Sequence, residues 1–299
     1  MRVANAPVSW GVMEFDFGPD TYEFGRVLDE IRASGYQGSE LGDWGFLPTD
    51  PVDLRRQLES RDLALVGAFV PVNLRDPEAH DDGADRALRT ARLLSSASPD
   101  GAALIVLADE NGRDPVRTKL AGRIKREHGL TNGEWETFAR GAERIAGRVL
   151  KETGLRTVFH HHCAGFVEAP WELRQLMEHT DSELVGLCLD TGHYRFGGGD
   201  PAQAVAEYGS RIWHVHLKDF SPRIAERARE NAWDYFQAVE HGIFCELGEG
   251  QVDFPGVLDG LRQTGYSGWL VVEQDVLPGL GSPLECAKRN RAYLERVGV

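Results

Sequence analysis

The stretches LVGLCLDTGH (184–193) and RIWHVHLKD (211–219) decide how this chain folds. Each is an apolar run of strand length that stops on groups able to bind a metal or move a proton. The first ends on Asp190 with His193 three residues later, and the second carries His214, His216 and Lys218. Two further runs end in the same way. RTVFHHH (156–162) delivers His160, His161 and His162, and WLVVEQD (269–275) delivers Glu273. Four strand ends in succession with ligand-type side chains describe one rim of a barrel, since the carboxyl ends of parallel strands are where (β/α)8 enzymes place their chemistry.

Working outward, strand-like runs alternate with helix-like runs along the chain. The other candidate strands are 2–9, 36–42, 63–70 and 102–109, which brings the total to eight. Most are apolar on both faces, as parallel strands buried under helices are. Helical periodicity covers 22–33, 51–60, 84–95, 134–152, 170–179, 201–208, 254–264 and 283–297. Pro51, Pro170 and Pro201 stand near helix starts, where a missing N–H costs little. Eight β-then-α units point to an α/β fold, a (β/α)8 TIM barrel spanning 1–299 as one domain. No GxGxxG follows the first strand, which weakens a dinucleotide-binding reading. Two connections, 109–133 and 219–250, are long enough to be rim insertions that wall or cover a site.

Composition narrows the function. The chain has 299 residues, 41% of them hydrophobic, enough for one large core. The net charge of −14 argues against nucleic acid as a partner, because phosphate backbones need a basic footprint. No apolar run reaches the roughly 18 residues of a membrane span, and no basic-then-apolar leader opens the chain, so a cytoplasmic protein is expected. The four cysteines form no CxxC pair and read as buried free thiols. A G-x-S-x-G elbow is absent, which disfavours a serine hydrolase.

Side-chain alternation assigns faces. His214, His216 and Lys218 share one face of their strand; His160 and His162 share one face of theirs, with His161 on the other. Asp190 at a strand end must be paired, metal-bound or solvated. The alternative, Asp190 as a helix N-cap, is disfavoured because the following RFGGGD reads as a loop. Glu40, in GSELGDWG, is expected either to bind substrate or to brace the site. Lys218 either stabilises charge in the reaction or pairs with Asp219 or another acid. Trp10, Trp44 and Phe46 are candidate apolar walls. A mixed Asp/Glu/His set suits a borderline divalent ion such as Mn²⁺, Co²⁺, Fe²⁺ or Zn²⁺, and the lack of Cys argues against structural zinc.

These residues resemble the xylose-isomerase-like TIM-barrel superfamily of sugar isomerases, epimerases and dehydratases. The segments that carry the likeness are GYQGSELGDWGFLP, FHHH, DTGHYRFGGGDP, HVHLKD and AVEHGIFCELGEGQVDF, which span most of the chain. HVHLKD is widely shared in the superfamily; FHHH and GIFCELGEG are more specific. The resemblance implies one divalent metal held by Asp190, His216 and Glu273. Where many relatives place a Glu at the end of the fifth strand this chain has His160, so the first ligand is expected to be Glu168, ahead of His160 or His162. Mn²⁺ or Co²⁺ is favoured over Fe²⁺, Zn²⁺ or Mg²⁺. The implied activity is removal of water from a cyclic keto-polyol, 2-keto-myo-inositol, in inositol catabolism. The alternatives are a ketose epimerase or isomerase, or a 3-keto-glycoside lyase, on the same barrel. His193, His160, His162 and Lys218 are the implied catalytic groups, and Glu40, Trp10 and His214 the implied substrate contacts. The partner is a small molecule, and a homo-oligomer is compatible with the sequence.

Overall fold

The computed structural model describes residues 1–11, 22–98, 103–275 and 281–299. Eight parallel strands close into a barrel. In chain order they are β1 (Arg2–Asn5), β2 (Gly38–Glu40), β3 (Ala64–Val72), β4 (Leu104–Asp109), β5 (Thr157–His160), β6 (Val185–Asp190), β7 (Ile212–Leu217) and β10 (Trp269–Val272). Two short strands, β8 (Asp219–Phe220) and β9 (Phe244–Cys245), form a separate antiparallel ribbon above the rim. The expected barrel is therefore present, with all eight strands at the expected places; Ala102, the first residue of the fourth run, lies outside the described residues.

The helices are α1 (Phe24–Ala33), α2 (Pro51–Glu59), α3 (Ala79–Ala97), α4 (Pro115–Lys119), α5 (Asn132–Thr153), α6 (Pro170–His179), α7 (Thr191–Phe196), α8 (Pro201–Tyr208), α9 (Pro222–Glu230), α10 (Tyr235–Glu240), α11 (Phe254–Gln263) and α12 (Pro283–Arg296). Local chemistry sets their starts. Asp50 and Asp200 cap α2 and α8 by accepting backbone N–H groups, each followed by Pro in the first turn. Thr131 and Glu134 make a capping box on α5, which stops at Gly154 with φ 74°. Each such cap is worth about 1 kcal/mol.

The core lies between the barrel and its helical ring, with Leu28, Ile31, Phe138, Ile145, Phe159, Leu187 and Leu270 fully buried. No helix among the described residues is long and apolar enough to cross a membrane.

Register positions the site. Asp190 pairs with His216 across β6 and β7, and His216 pairs with Val271 of β10. His160 pairs with Cys188 of β6. β5, β6, β7 and β10 are consecutive neighbours in the barrel, so their carboxyl ends form one arc of the rim. The 109–133 connection contributes α4, and the 219–250 connection contributes β8, α9, α10 and β9. Asp219 closes the second connection on itself: its carboxylate accepts from the backbone N–H of Phe220, Gly248, Gly250 and Val252.

Candidate metal centre

At the carboxyl rim, His160, Asp190, His216 and Glu273 each offer one ligand atom within 4.8 Å of the others. Each is delivered by its strand end. His160 is the last residue of β5, Asp190 the last of β6, and His216 lies one residue short of the end of β7. Glu273 follows β10 directly and is held by its backbone N–H, which donates to Leu217 O at 3.1 Å.

Asp190 takes two roles at once. It is the N-cap of α7, with Oδ1 accepting from His193 N at 2.8 Å. Its Oδ2 is buried and has no hydrogen-bond partner among the described residues, lying 3.5 Å from His160 Nε2. The sequence expectation of a loop after Asp190 is thus corrected: the segment folds as a short helix because the aspartate satisfies its first turn. Capping occupies one oxygen and leaves the other for the site.

Beneath the rim Glu40 forms a second layer. Its Oε1 accepts from His214 Nε2 at 2.8 Å and from His216 Nε2 at 3.0 Å. Gly67 on β3 makes room, since a Cβ there would stand 3.2 Å from that oxygen. Burial alone would raise the Glu40 pKa, but His216 and His214 outweigh it and bring it to about 2. An ionised carboxylate only accepts, so both histidines carry a proton on Nε2. The Nδ1 of His216 then faces Glu273 Oε2 at 3.3 Å.

The donor set fits a divalent ion. His160 Nδ1 and Nε2, Asp190 Oδ2 and His216 Nδ1 are buried and have no hydrogen-bond partner among the described residues. Buried polar atoms are rarely left so without reason, and one cation would satisfy several together. Burial, then the neighbouring His216, lowers His160 to a pKa of about 3, so one ring nitrogen of the neutral imidazole keeps its lone pair at neutral pH.

Around this group lies a pocket of about 690 Å³, mouth included, lined by Glu40, Asp43, Phe69, Asn111, His162, His193, Lys218, Tyr235 and Asp275 among others. Lys218 Nζ stands 3.1 Å from Asp275 Oδ1, 3.5 Å from Glu273 Oε2, and 4.7 Å from the centre of the Phe244 ring. Burial disfavours its charge, but Asp275, Glu273 and Asp190 outweigh burial and raise its pKa, so Lys218 stays protonated. Its partner is Asp275 rather than Asp219, whose carboxylate is spent on backbone. Gly192 lets α7 approach, for a Cβ there would meet Lys218 Cγ at 2.7 Å.

The pocket histidines differ. Nδ1 of His193 accepts from Cys163 N at 3.2 Å, which leaves the proton on Nε2. Burial, then Lys218, holds its pKa well below the ordinary value. His162 has both ring nitrogens buried and unpartnered among the described residues, and burial with His160 brings its pKa to about 3. His161, on the other face, accepts from Asp190 N at 3.2 Å.

Three expected contacts lie elsewhere. Glu168 is not in the ligand group: Gly122 N donates to its Oε1 at 2.6 Å and Ala164 N to its Oε2 at 3.0 Å. The turn after β5 carries it away from the group, one oxygen meeting Gly122 beyond α4 and the other Ala164 in the turn itself. Trp10 is 1% exposed, its indole N–H donating to Glu30 Oε2 at 2.7 Å; it packs in the core rather than along the pocket. His214 is fully buried under Glu40, out of a ligand's reach. Trp44 points outward beneath Arg89, and Phe46 packs against the core. The apolar wall is made by Phe69, Ala6 and Val8 instead. Asp275 was legible from alternation, two residues past Glu273; Asn111 and Tyr235 had no local signal.

A closed parallel barrel with imidazole and carboxylate donors converging at its carboxyl rim defines a TIM-barrel protein with a candidate metal centre. The chain belongs to the xylose isomerase-like TIM barrel family, whose model matches residues 28–296. It is 32% identical over 300 residues to an inosose dehydratase of Geobacillus kaustophilus (strain HTA426), covering 99% of this chain and 94% of the relative. It is 36% identical over 304 residues to the rhizopine catabolism protein MocC of Rhizobium meliloti, covering 100% and 89%. Among solved structures, the 3-keto-D-glucoside 4-epimerase YcjR from E. coli superposes with a TM-score of 0.70 at 16% identity, covering 99% of both chains, a likeness of fold.

Proposed function

We propose that the protein is a metal-dependent dehydratase that removes water from a neutral cyclic keto-polyol, 2-keto-myo-inositol, in inositol catabolism. The observation that carries this reading is the convergence of His160, Asp190, His216 and Glu273 in a pocket that also holds a neutral imidazole, His162, and a charged ammonium, Lys218. The full-length likeness to an inosose dehydratase and to a rhizopine catabolism protein supports the substrate class.

His160, Asp190, His216 and Glu273 would hold the ion. Two imidazoles with two carboxylates favour Mn²⁺ or Co²⁺ over Mg²⁺, which prefers all-oxygen surroundings. A bound divalent ion supplies Lewis acidity, stabilising negative charge on a ketone oxygen when the neighbouring carbon is deprotonated. The rest falls to the chain. Burial keeps His162 neutral, so one ring nitrogen carries a lone pair in the pocket and is placed to take the α-proton as general base. The electron pair of that C–H bond becomes the new C=C bond as the β C–O bond breaks. Lys218 gives a proton to the departing oxygen, which leaves as water. His193 presents Nε2–H and orients a hydroxyl. Glu40 fixes the ring of His216.

The test is an ultraviolet and mass assay of metal-stripped, Mn²⁺-loaded and Co²⁺-loaded protein with 2-keto-myo-inositol. Metal-dependent loss of the mass of one water is expected. Metal binding with conservation of substrate mass would overturn the dehydratase assignment in favour of an epimerase.

A further inference from the structure

Away from the ligand group and the histidines beside it, Asn111 is a pocket residue left unsatisfied among the described residues. Asn111 lies two residues past the end of β4 and lines the pocket. Its Oδ1 is buried and has no hydrogen-bond partner among the described residues. The backbone on either side is tied down. Glu110 N–H donates to Val72 O at 3.2 Å, and Gly112 N–H donates to Ala164 O at 3.3 Å. Gly112, with φ 74°, sits under α10, where a Cβ would lie 2.7 Å from Phe236 Cζ. The loop is thus clamped between β3, the turn after β5 and α10, and the Asn111 amide is presented to the pocket.

The other polar groups nearby share its character. Asp43 and Asp275 line the same pocket and are acceptors when ionised. Lys218 is the one Lys or Arg lining the pocket among the described residues, and it is already engaged by Asp275 and Glu273. The wall offers several acceptors, with the Nε2–H of His193 a donor among them. Its complement is a ligand that brings several hydroxyl donors and no negative charge.

We propose that Asn111 is a specificity-determining residue: its Oδ1 accepts a hydrogen bond from one substrate hydroxyl beyond the reach of the ligand group. The wall it belongs to selects neutral polyhydroxylated rings against deoxygenated, phosphorylated or carboxylated ones. This inference rests on the keto-polyol reading above.

Calorimetric binding of 2-keto-myo-inositol and its monodeoxy analogues to Mn²⁺-loaded wild type, Asn111→Ala and Asn111→Asp tests it, with metal stoichiometry as the check on folding. For one deoxy position, wild type should lose affinity roughly 10- to 100-fold, the cost of an unmet buried acceptor. Asn111→Ala should show that loss with the parent ketone and no further loss with that analogue. Asn111→Asp keeps an acceptor and should keep the preference. The proposal is overturned if Asn111→Ala binds the parent as wild type does, or weakens every analogue in addition to its own deficit. Failure of metal-loaded wild type both to bind and to dehydrate 2-keto-myo-inositol would instead overturn the functional reading, and this inference with it.

Discussion

One oxygen of Glu40 serves two histidines, lying 2.8 Å from His214 Nε2 and 3.0 Å from His216 Nε2. This sets the His216 tautomer and turns its Nδ1 toward Glu273. Outer partners of this kind tune a metal ligand as much as the ligand's own identity does. Glu40→Gln should weaken metal binding by roughly 10- to 100-fold while leaving the fold intact. Metal titration by calorimetry measures this, and unchanged affinity would remove Glu40 from the positioning role.

His162 is a pocket imidazole outside the ligand group with no hydrogen-bond partner for either ring nitrogen among the described residues. His162→Asn should lower kcat by roughly 10²- to 10⁴-fold, the usual worth of a general base. Metal content should not change. Exchange of the substrate α-proton with deuterated solvent should fall in parallel with turnover. If exchange persists while dehydration is lost, proton abstraction belongs to another group.

Glu168 makes a separable prediction. Burial raises its pKa to about 7, against the pull of Arg117 and the N–H groups of Ala164 and Gly122. A carboxyl whose folded pKa exceeds its unfolded one stabilises the fold fully below the unfolded value, and the gain is lost as pH rises to the folded value. Between about pH 4.5 and 7, wild type should lose about 2–3 kcal/mol relative to Glu168→Gln. Urea unfolding of both proteins across that range measures the change. The same variant should bind one metal ion as wild type does; loss of the ion would restore Glu168 to the ligand set.

Arg117 and Glu172 form a buried bidentate pair, both contacts 2.8 Å, with side chains 1% and 0% exposed. The pair fastens α4 to α6, and Glu172 Oε2 also accepts from the N–H groups of Glu168 and Ala169. Arg117→Met should cost about 3–5 kcal/mol, since it strands a buried carboxylate. The double variant with Glu172→Gln should recover part of that loss, as a double-mutant cycle in denaturant would show.

The barrel was legible because most strands are short apolar runs, several of which stop on or beside a polar group, a pattern set by local burial. Asp190, His216 and Glu273 came with it, since strand ends fix where such side chains emerge. Glu168 stands outside the group of converging donors because the turn after β5 carries it to the backbone N–H groups of Gly122 and Ala164, contacts with no trace in spacing. Trp10 and His214 stand off the pocket for different reasons: Trp10 follows the first strand in a short turn of helix, and for His214 alternation gives a face but not a depth. His214 shares its face with His216 and lies one layer lower. Asp190 was resolved only by geometry, because a carboxylate has two oxygens and the sequence cannot say that they part company.

The carboxylate of Asp219 gathers the backbone at Phe220 and at Gly248, Gly250 and Val252, so the excursion between them departs from and returns to a single point on the barrel. A segment anchored in this way behaves as a cassette. Its length and sequence can drift, or be exchanged by an engineer, without re-registering a strand, because the seam is closed by one side chain on the scaffold's own side. The same barrel can then meet a new substrate by recruiting a different lobe, while the donor groups at its rim stay where β5, β6, β7 and β10 put them.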